Sequence, residues 1–404
     1  MSDTATPAIA AIAVAPGRMS RTAALWLNAS IMVAYLAAST APSPLYALYR
    51  EAWGFSALTL TLVFATYAFA LLAALLFTGA LSDHRGRREV ILVAMALEIA
   101  SILVFRHADS VAWLFVARAV QGLATGIATS ALSAGMLDID RERGSLLNSV
   151  SPLFGMGFGA LAAGGLAQFA PAPTRLVFDV LLAILVAQTV AAFFLPETVS
   201  RRPGALASMK PQLSVPRRAW PTLWKVLPVN TAQWALGGFY ASLGPSLARI
   251  VTGVHSPLLG GGVVAALVLS GAVAVLAVRT RPARVVLAGG TAALVIGVSV
   301  TLAGVQLHST TAFFAGSVIA GLGFGAAFNG TLRSLVPLAE AHERAGLMST
   351  FFVLSYLAFS LPAIAAGVLA GHVGLQAASV GYGLLLVALG CIALVMMARR
   401  QDAA

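Results

Sequence analysis

Two ionisable side chains of opposite sign, Glu98 and Arg118, lie inside long apolar segments of the chain. At 1.5 Å per helical residue, Arg118 lies about 12 Å below one boundary of an apolar layer and Glu98 about 15 Å from the other, so their depths nearly coincide. A guanidinium at that depth normally faces a cavity or a carboxylate. Two alternatives follow: an Arg118–Glu98 ion pair, or a Glu98 that is neutral or bonded to nearby groups. If a protonatable Glu98 competes for Arg118, proton movement is coupled to a change at this site.

A second group of chemically active residues forms the short, highly charged connection at residues 79–88, which reads GALSDHRGRR. Gly79 permits close helix approach, and Gly86 permits a turn. Asp83 places a carboxylate at a helix end, where it can pair with cations or with an opposing helix N-terminus. Such a contact can be made in one conformational state only. A purely topogenic basic loop would not require these three residues.

Composition assigns the chain to the membrane. Of 404 residues, 59% are hydrophobic and 10% are charged, whereas a soluble domain has about 25% charged residues. The only lysines, Lys210 and Lys225, do not follow a Gly-rich loop, which argues against a P-loop. The single Cys391 argues against a disulfide framework. Six histidines in connections or at segment ends, and no paired carboxylates or nucleophile with a base, predict neither a metal site, a cofactor nor an enzyme.

Twelve apolar segments of about 18 residues or more predict an all-α integral membrane protein with twelve transmembrane helices. The predicted organisation is a cytoplasmic tail (1–22), a six-helix bundle (23–196), a cytoplasmic linker (197–222), a second six-helix bundle (223–398) and a cytoplasmic tail (399–404). The segments are 23–46, 57–80, 89–107, 110–135, 146–170, 175–196, 223–249, 257–278, 284–307, 310–337, 346–371 and 375–398.

The distribution of basic residues predicts the orientation. Nineteen of the 25 Lys and Arg residues lie in the tails and even-numbered connections, and four lie on the opposite side. By the positive-inside rule both termini are cytoplasmic, which predicts a multi-pass protein of the inner (cytoplasmic) membrane. The net charge of +11 is scattered over short loops, which argues against nucleic-acid binding. The predicted partner of these charges is the anionic surface of the lipid bilayer.

An internal repeat supports the division into two bundles. The pattern A-S-x-x-P-S ends the first segment at Pro42 and the seventh at Pro245, 203 residues later. Glu142 and Arg143 follow the fourth segment as Glu343 and Arg344 follow the tenth, 201 residues later. The two spacings agree, which favours two parallel repeats related by pseudo-symmetry.

The charged connection resembles the signature of the major facilitator superfamily, G-x-L-x-D-x-x-G-R-[RK], at every defined position. In that family the loop is a conformational latch. The resemblance assigns this role to Gly79, Leu81, Asp83, Gly86, Arg87 and Arg88, together with Asp138 at the end of the fourth segment.

Three further patterns resemble the same family, whose bacterial drug/proton antiporters carry them. Residues 114–122 match its fourth-segment pattern, which assigns Arg118, Gln121 and Gly122, with Glu98, to proton coupling and the cavity. Residues 195–198 (LPET) match the close of its sixth segment. The fifth segment resembles the antiporter pattern G-x-x-x-G-P-x-x-G-G without its proline, so antiport and simple helix packing remain equal alternatives. Its small residues are Gly155, Gly159, Gly164 and Gly165.

Polar and aromatic residues on segments 1, 7 and 10 are the candidate substrate contacts, because these segments line the cavity in the resembled fold. For each residue, an interhelical hydrogen bond is the alternative role. The first segment has no Asp or Glu, which favours neutral, amphipathic or anionic solutes. Arg175 and Asp179 are four residues apart and are predicted to form a local helix pair. The candidates are Asn28, Tyr35, Ser39, Asn230, Gln233, Trp234, Tyr240, Phe328 and Asn329.

The resemblance implies a monomeric secondary transporter that moves a small organic solute by alternating access, with protons as the coupling ion. Efflux by antiport is the first hypothesis. Symport uptake of a metabolite and a non-transporting sensor of the same fold are the alternatives.

Overall fold

The computed structural model describes residues 19–340 and 342–398. Residues 1–18 of the predicted N-terminal tail (1–22) and the whole predicted C-terminal tail (399–404) lie outside the described residues. Within the described part every regular element is helical. The α-helices are α1 (Arg21–Thr40), α2 (Pro42–Trp53), α3 (Ala57–Thr78), α4 (Leu81–Arg85), α5 (Arg87–His107), α6 (Val111–Ile139), α7 (Arg141–Phe169), α8 (Leu176–Ala192), α9 (Trp220–Ser242), α10 (Gly244–Thr252), α11 (Pro257–Val278), α12 (Ala283–Gln306), α13 (Thr310–Leu335), α14 (Arg344–Val373) and α15 (Leu375–Ala398).

Ten helical segments among the described residues are long and apolar enough to cross a membrane. Each of the twelve predicted segments overlaps a helix or a pair of consecutive helices. The sixth, α8, is apolar but has only 17 residues. The seventh, α9, carries Asn230 and Gln233 and is not among the ten. The chain is therefore an all-helical, multi-pass membrane protein.

Helix boundaries differ from the sequence prediction mainly at the loops. Helix α9 begins at Trp220, inside the predicted linker, and α7 begins at Arg141, five residues before the predicted segment. Asp140 explains the early start of α7, because its side chain accepts a hydrogen bond from the Arg143 backbone amide and caps the helix.

Each half contains one helix that breaks near its end. The break between α1 and α2 is at Pro42, and the break between α9 and α10 is at Pro245. Proline has no backbone N–H and so interrupts the helical hydrogen-bond pattern, leaving the preceding carbonyl groups free. The two copies of the repeated A-S-x-x-P-S pattern thus stand at equivalent breaks.

The two halves, α1–α8 and α9–α15, pack through α7 on α11 and through α3 on α14. Small residues permit these approaches. A Cβ at Gly261 would meet the carbonyl of Ala160, and a Cβ at Gly367 would meet the side chain of Thr61. Near the middle of the bundle, the Phe64 and Phe359 rings lie 4.9 Å apart.

We call the end of the bundle that carries α2 and α10 the Glu51 end, and the opposite end the Arg87 end. At the Glu51 end, Glu51 on α2 forms an ion pair with Arg249 on α10, the outer ion pair. Nearby, Gln168 at the end of α7 accepts a 2.5 Å hydrogen bond from the Ser256 hydroxyl just before α11. Contacts between the halves therefore extend from the middle of the bundle to the Glu51 end.

The connection between the halves is attached to both. Its first part contacts the first half, where Arg201 pairs with Glu89 at 2.8 Å. Its last part contacts the second half, where Arg218 donates to Glu340 at 2.8 Å and to Glu343. The hydrogen bond from Arg218 holds the pKa of the Glu340 carboxyl below its ordinary value, and the same contact raises the pKa of Arg218.

Candidate functional site

Arg118, on α6, is fully buried and donates three side-chain hydrogen bonds. Its Nε donates to the Tyr46 hydroxyl at 2.6 Å, and its Nη1 donates to the Ser39 carbonyl and to Gln121 Oε1, both at 2.7 Å. Ser39 lies in the last turn of α1, where the Pro42 break leaves carbonyls free to accept. The broken helix therefore creates the acceptors that hold this guanidinium.

Three aromatic rings surround the same guanidinium. Its central carbon lies 5.5, 5.3 and 5.6 Å from the ring centroids of Tyr46, Tyr67 and Phe105. These distances are within cation–π range, which is attractive where water is excluded. Arg118 Nη2 has no hydrogen-bond partner. The cation is thus held by neutral groups.

Gln121 connects Arg118 to Glu98. While its Oε1 accepts from Arg118, its Nε2 donates to Glu98 Oε1 and to the Ala38 carbonyl, both at 3.1 Å. Glu98 is fully buried, and its Oε2 has no partner. The direct Arg118–Glu98 ion pair considered from the sequence does not form. Similar depth was correctly expected, but the Gln121 amide, one helical turn from Arg118, lies between the charges.

Close packing of α6 on α3 fixes the position of this network. A Cβ at Gly122 would lie 2.8 Å from Ala70 Cβ and 2.9 Å from the Leu71 amide nitrogen, besides overlapping the Tyr67 carbonyl. A side chain here would push α3 and its Tyr67 ring away from Arg118. Gly122, assigned to the cavity from its motif, thus serves helix packing.

Arg87 is the centre of the charged connection and is only 8% exposed. Its Nη1 lies 2.5 Å from Asp83 Oδ1 and donates to the Ser82 hydroxyl at 2.6 Å, and its Nε donates to Asp138 Oδ2 at 3.1 Å. The structure therefore brings together Asp83, Arg87 and Asp138. These residues all belong to the first half, at the Arg87 end of the bundle.

Glu197 joins Asp83, Arg87 and Asp138 in a cluster that we call the Arg87 junction, a contact that its LPET pattern did not predict. Its carboxylate accepts from the backbone amides of Arg87 at 2.8 Å and Arg88 at 3.2 Å, at the N-terminus of α5. A carboxylate is stabilised there by the free amides and by the helix dipole. Gly86, with φ of +105°, leaves the space that this carboxylate fills, since a Cβ would lie 2.9 Å from Glu197 Cδ. Of the other latch residues, Gly79 follows the end of α3 and Leu81 is the first residue of α4.

The glycines of α7 contact two different neighbours. Gly155 and Gly159 pack against α1, where a Cβ at Gly155 would lie 2.9 Å from Leu36 Cβ. Gly164 faces α11, where a Cβ would lie 3.0 Å from Leu258 Cα. Gly165 has only a 3.9 Å contact. These contacts correspond to the helix-packing alternative.

The first-half substrate candidates are buried. Asn28 donates to the Ala24 carbonyl at 2.9 Å, and Ser39 Oγ donates to the Leu36 carbonyl at 2.8 Å. Tyr35 is fully buried, and its hydroxyl has no partner. The spacing placed these candidates on one face, but two of them bond to their own helix.

The second-half candidates divide into two groups. Asn230 donates to the Ser355 hydroxyl at 3.0 Å, and Tyr240 shares a 2.8 Å hydrogen bond with the Ser317 hydroxyl. Such contacts are interhelical hydrogen bonds. By contrast, Trp234 is partly exposed, and its ring centroid lies 6.1 Å from that of Phe328.

Three buried polar atoms of the second-half candidates have no hydrogen-bond partner. They are Trp234 Nε1, Gln233 Oε1 and Asn329 Oδ1. Gln233 uses its Nε2 to donate to Asn230 Oδ1 at 3.2 Å.

At the Glu51 end, a different ion pair forms from the one that the sequence predicts. Asp179 pairs with Arg106 on α5, so the predicted Arg175–Asp179 pair was wrong because a neighbouring helix supplies a closer cation. Beside the outer ion pair lies a cavity of about 620 Å³, lined by Arg50 and His255 among others. His255 Nδ1 is 3.9 Å from Glu51 Oε1.

Solved structures share this architecture. A bacterial homologue of the human lysosomal transporter Spinster, inward-facing and unoccupied, aligns with a TM-score of 0.76 at 15% identity, covering 95% of this chain and 98% of that chain. The peptide transporter POT bound to alafosfalin aligns at 0.72 and 17% identity, covering 93% and 94%. The human organic anion transporter MFSD10 aligns at 0.67 and 19% identity, covering 93% and 100%.

A search of curated protein sequences finds no match to this chain. A sequence profile of the Major Facilitator Superfamily matches residues 27–282, well over half of the chain. The helical halves, the repeated helix breaks and this match lead to one conclusion: the chain belongs to the Major Facilitator Superfamily of membrane transporters.

Proposed function

We propose that the protein is a twelve-span, proton-coupled transporter that exports a small organic solute across the cytoplasmic membrane by alternating access. One observation carries the proposal: Gln121 bonds both the buried Glu98 carboxylate and the buried Arg118 guanidinium. Ionisable groups inside a membrane bundle mark ion or proton pathways. The absence of a nucleotide motif in the sequence favours a gradient as the energy source.

The network also contacts the parts that must move. Arg118 bonds the Ser39 carbonyl before the α1–α2 break and the Tyr46 hydroxyl after it. Helix α2 continues from Tyr46 to Glu51, which forms the outer ion pair with the second half. A proton added to Glu98 removes the negative charge facing Gln121, so the hydrogen bonds at the break rearrange. We infer that this rearrangement biases the closure of the Glu51 end.

The described contacts represent the state closed at the Glu51 end, which the basic-residue distribution assigns to the outside. In the opposite state the outer ion pair separates. The Arg87 junction, predicted to be cytoplasmic, then meets the second half through Asp83, whose side chain is 53% exposed. In this proposal the two rigid halves rock about a central site. Gly164 and Gly261 let α7 and α11 approach closely without interlocking side chains, so the halves can move relative to each other.

Proton movement in liposomes tests the proposal. Purified protein is reconstituted with a pH-sensitive dye, a panel of antibiotics, dyes, sugars and organic acids is added, and proton flux is followed in each vesicle polarity. We expect solute-triggered proton exchange in the wild type and its loss in Glu98→Gln and Arg118→Ala. The matched control is Glu89→Gln, on the same helix but in the exposed pair with Arg201. Unchanged coupling in Glu98→Gln would refute the role of this carboxylate.

The same assay separates the alternatives. Solute and protons moving in the same direction would favour symport uptake. Solute binding without flux in any polarity would identify a sensor.

A further inference from the structure

Four arginines stand at one turn of the second half, at the Arg87 end, and we call them the Arg281 patch: Arg279, Arg281, Arg284 and Arg333. The first three belong to the connection between α11 and α12 and to the start of α12. Arg333, in the last turn of α13, donates from Nη2 to the backbone carbonyl of Arg281 at 2.8 Å. That hydrogen bond attaches the connection to a third helix.

No carboxylate neutralises this patch within the part of the chain that the structure describes. The only carboxylates of the second half there are Glu340 and Glu343, and both bond Arg218 of the linker. The first turn of α12 holds no acidic residue. The three arginines of the connection are exposed. Their positive charges are therefore available to an anion.

The corresponding connection of the first half is balanced by its own carboxylates. It leads from α3 to α5, as the α11–α12 connection leads from the second to the third span of the other half. There Arg87 pairs with Asp83 and Asp138, and Glu197 bonds the amides at the start of α5. The Arg281 patch has no such partners among the described residues, so its counter-charge has to come from elsewhere.

The patch lies at the level of lipid headgroups. Helices α11 and α12 are both long and apolar enough to span a bilayer, and residues 279–282 alone connect them. Below the patch, Val273 on α11 is 57% exposed, and Val285 and Ile296 on α12 are 60% and 55% exposed. Apolar side chains exposed on a spanning helix face the hydrocarbon chains of lipid. A lipid at this edge thus meets guanidinium groups above and apolar helix surface below.

The apolar surface continues directly from the arginines. On α12, Val285, Gly289 and Ile296 share one outward face by their spacing, and a Cβ at Gly289 would meet no atom within 4 Å. On α13, Leu322 and Arg333 are eleven residues apart, which is about three helical turns, so they lie on the same face. Extended acyl chains can therefore lie along both helices beneath the guanidinium groups.

The residue type specifies the anion. A guanidinium donates two parallel hydrogen bonds to the oxygens of a phosphate group, whereas a lysine ammonium acts as a point charge. All four positions of the patch are arginine. Basic sites at the cytoplasmic ends of spanning helices suit the headgroups of anionic phospholipids. A soluble anion would satisfy the charges but would leave the apolar surface unused.

We infer that the Arg281 patch binds one anionic phospholipid, with its phosphodiester on the arginines and its acyl chains against α12 and α13. General attraction of basic loops to an anionic membrane surface requires no particular position. This inference assigns a discrete site with a defined headgroup, and it is independent of the solute that the protein transports.

Native mass spectrometry of the purified full-length protein in detergent measures the binding of single lipid molecules. The probes are dioleoylphosphatidylglycerol, which is anionic, and dioleoylphosphatidylcholine, which has the same chains and no net charge. We expect the wild type to bind the anionic lipid at least about fivefold more tightly. The triple variant Arg279→Gln/Arg281→Gln/Arg284→Gln should lose this preference. Equal affinities of the two lipids for the wild type would overturn the inference.

A charge-matched control separates a site from general attraction. Arg202→Gln/Lys210→Gln/Arg217→Gln removes three exposed positive charges from the linker at the same end of the bundle. We expect this variant to keep the preference of the wild type for the anionic lipid. An equal loss of preference in both triple variants would show that net charge alone attracts the lipid, and the discrete site would be refuted.

A second variant keeps the test valid if the loss of three charges prevents folding. Arg279→Lys/Arg281→Lys/Arg284→Lys retains the charge but removes the paired donors, so we expect the affinity for the anionic lipid to fall at least about twofold. Unchanged affinity in this variant would contradict recognition by the guanidinium groups. Excess inorganic phosphate should leave the lipid bound, whereas displacement of the lipid by phosphate alone would show that the patch is a site for soluble anions.

Discussion

Replacing Gln121 with leucine should destabilise the first half measurably, because one amide joins three partners. The substitution removes its bonds to Arg118, Ala38 and Glu98. An interhelical hydrogen bond in a membrane protein contributes about 0.6 kcal/mol, and if the bond to Arg118 within α6 is given the same value, the loss of all three amounts to roughly 2 kcal/mol. Glu98 is then left with neither oxygen bonded, which adds about 1–3 kcal/mol for an unsatisfied buried group. We therefore expect the free energy of unfolding to fall by roughly 3–5 kcal/mol.

Reversible unfolding in mixed micelles with a rising fraction of sodium dodecyl sulfate, followed by far-ultraviolet circular dichroism, measures this change. Thr129→Val is the matched control on the same helix, because the Thr129 hydroxyl bonds only the preceding turn at 2.7 Å. Its removal is expected to change the free energy of unfolding by less than about 0.5 kcal/mol. If Gln121→Leu stays within the same limit, the amide does not hold the network and the reasoning fails.

A double-mutant cycle tests how much of the lost stability comes from leaving the Glu98 carboxylate without a hydrogen bond. If much of the loss comes from the unbonded Glu98, the effects of Gln121→Leu and Glu98→Gln on the free energy of unfolding are less than additive. The reason is that Glu98→Gln removes the carboxylate that Gln121→Leu leaves without a partner. We expect a coupling of about 1 kcal/mol or more. Strictly additive effects would show that the two side chains act independently.

Three further predictions concern the loops. Arg87→Ala should slow transport at least tenfold, because three partners are lost, whereas the neighbouring Arg85→Ala should not; equal rates for both variants in a flux assay would contradict the latch. Arg249→Ala breaks the outer ion pair, and a partly exposed ion pair contributes about 0.2–1 kcal/mol. The population of molecules open at the Glu51 end should therefore rise about 1.5- to 5-fold, as measured by distances from double electron–electron resonance. An unchanged distance distribution would count against a gating role for this ion pair. The pKa of Glu340 is lowered by Arg218, so this pair stabilises the linker at neutral pH and is lost as pH falls through that lowered pKa. The measurement is amide hydrogen exchange at residues 210–218, corrected for its intrinsic pH dependence. At pH 7 the exchange rate of Glu340→Gln should rise to that of the acidified wild type. Equal rates at pH 7 in the variant and the wild type would show that the Arg218–Glu340 pair does not hold the linker.

The motifs predicted contacts well between residues that are close together in the sequence. Asp83 and Arg87 are four residues apart on either side of the turn at Gly86, so their pairing follows from the local geometry of residues 79–88. The family resemblance also assigned Asp138 to this network, and Asp138 does pair with Arg87. The contribution of Glu197 was not predicted, because a proline–glutamate pair after an apolar segment gives no sign of which helix N-terminus it will cap. A capping carboxylate more than a hundred residues away becomes visible only when α5 and the end of α8 are adjacent.

Depth along a helix could be counted from the sequence, but direction around the helix could not. Counting residues correctly put Glu98 and Arg118 at similar depths, yet it left open whether they touch. The packing of α6 on α3 and α5 rotates Gln121 between them, and the Pro42 break supplies carbonyls that replace a carboxylate as partners of Arg118. In the same way, the four-residue spacing of Arg175 and Asp179 allowed an ion pair, but Asp179 pairs with Arg106 on α5 instead.

The sequence by itself determined the membrane environment, the helical segments, the internal repeat and the family. Each of these follows from local composition, from the length of apolar segments or from a contiguous motif. The tertiary structure alone decided which polar atoms are bonded and which remain free, because these depend on helix rotation and on the approach of segments far apart in the chain. For that reason the contacts among aromatic rings of α3, α9, α13 and α14 could be recognised only after the helices were placed together.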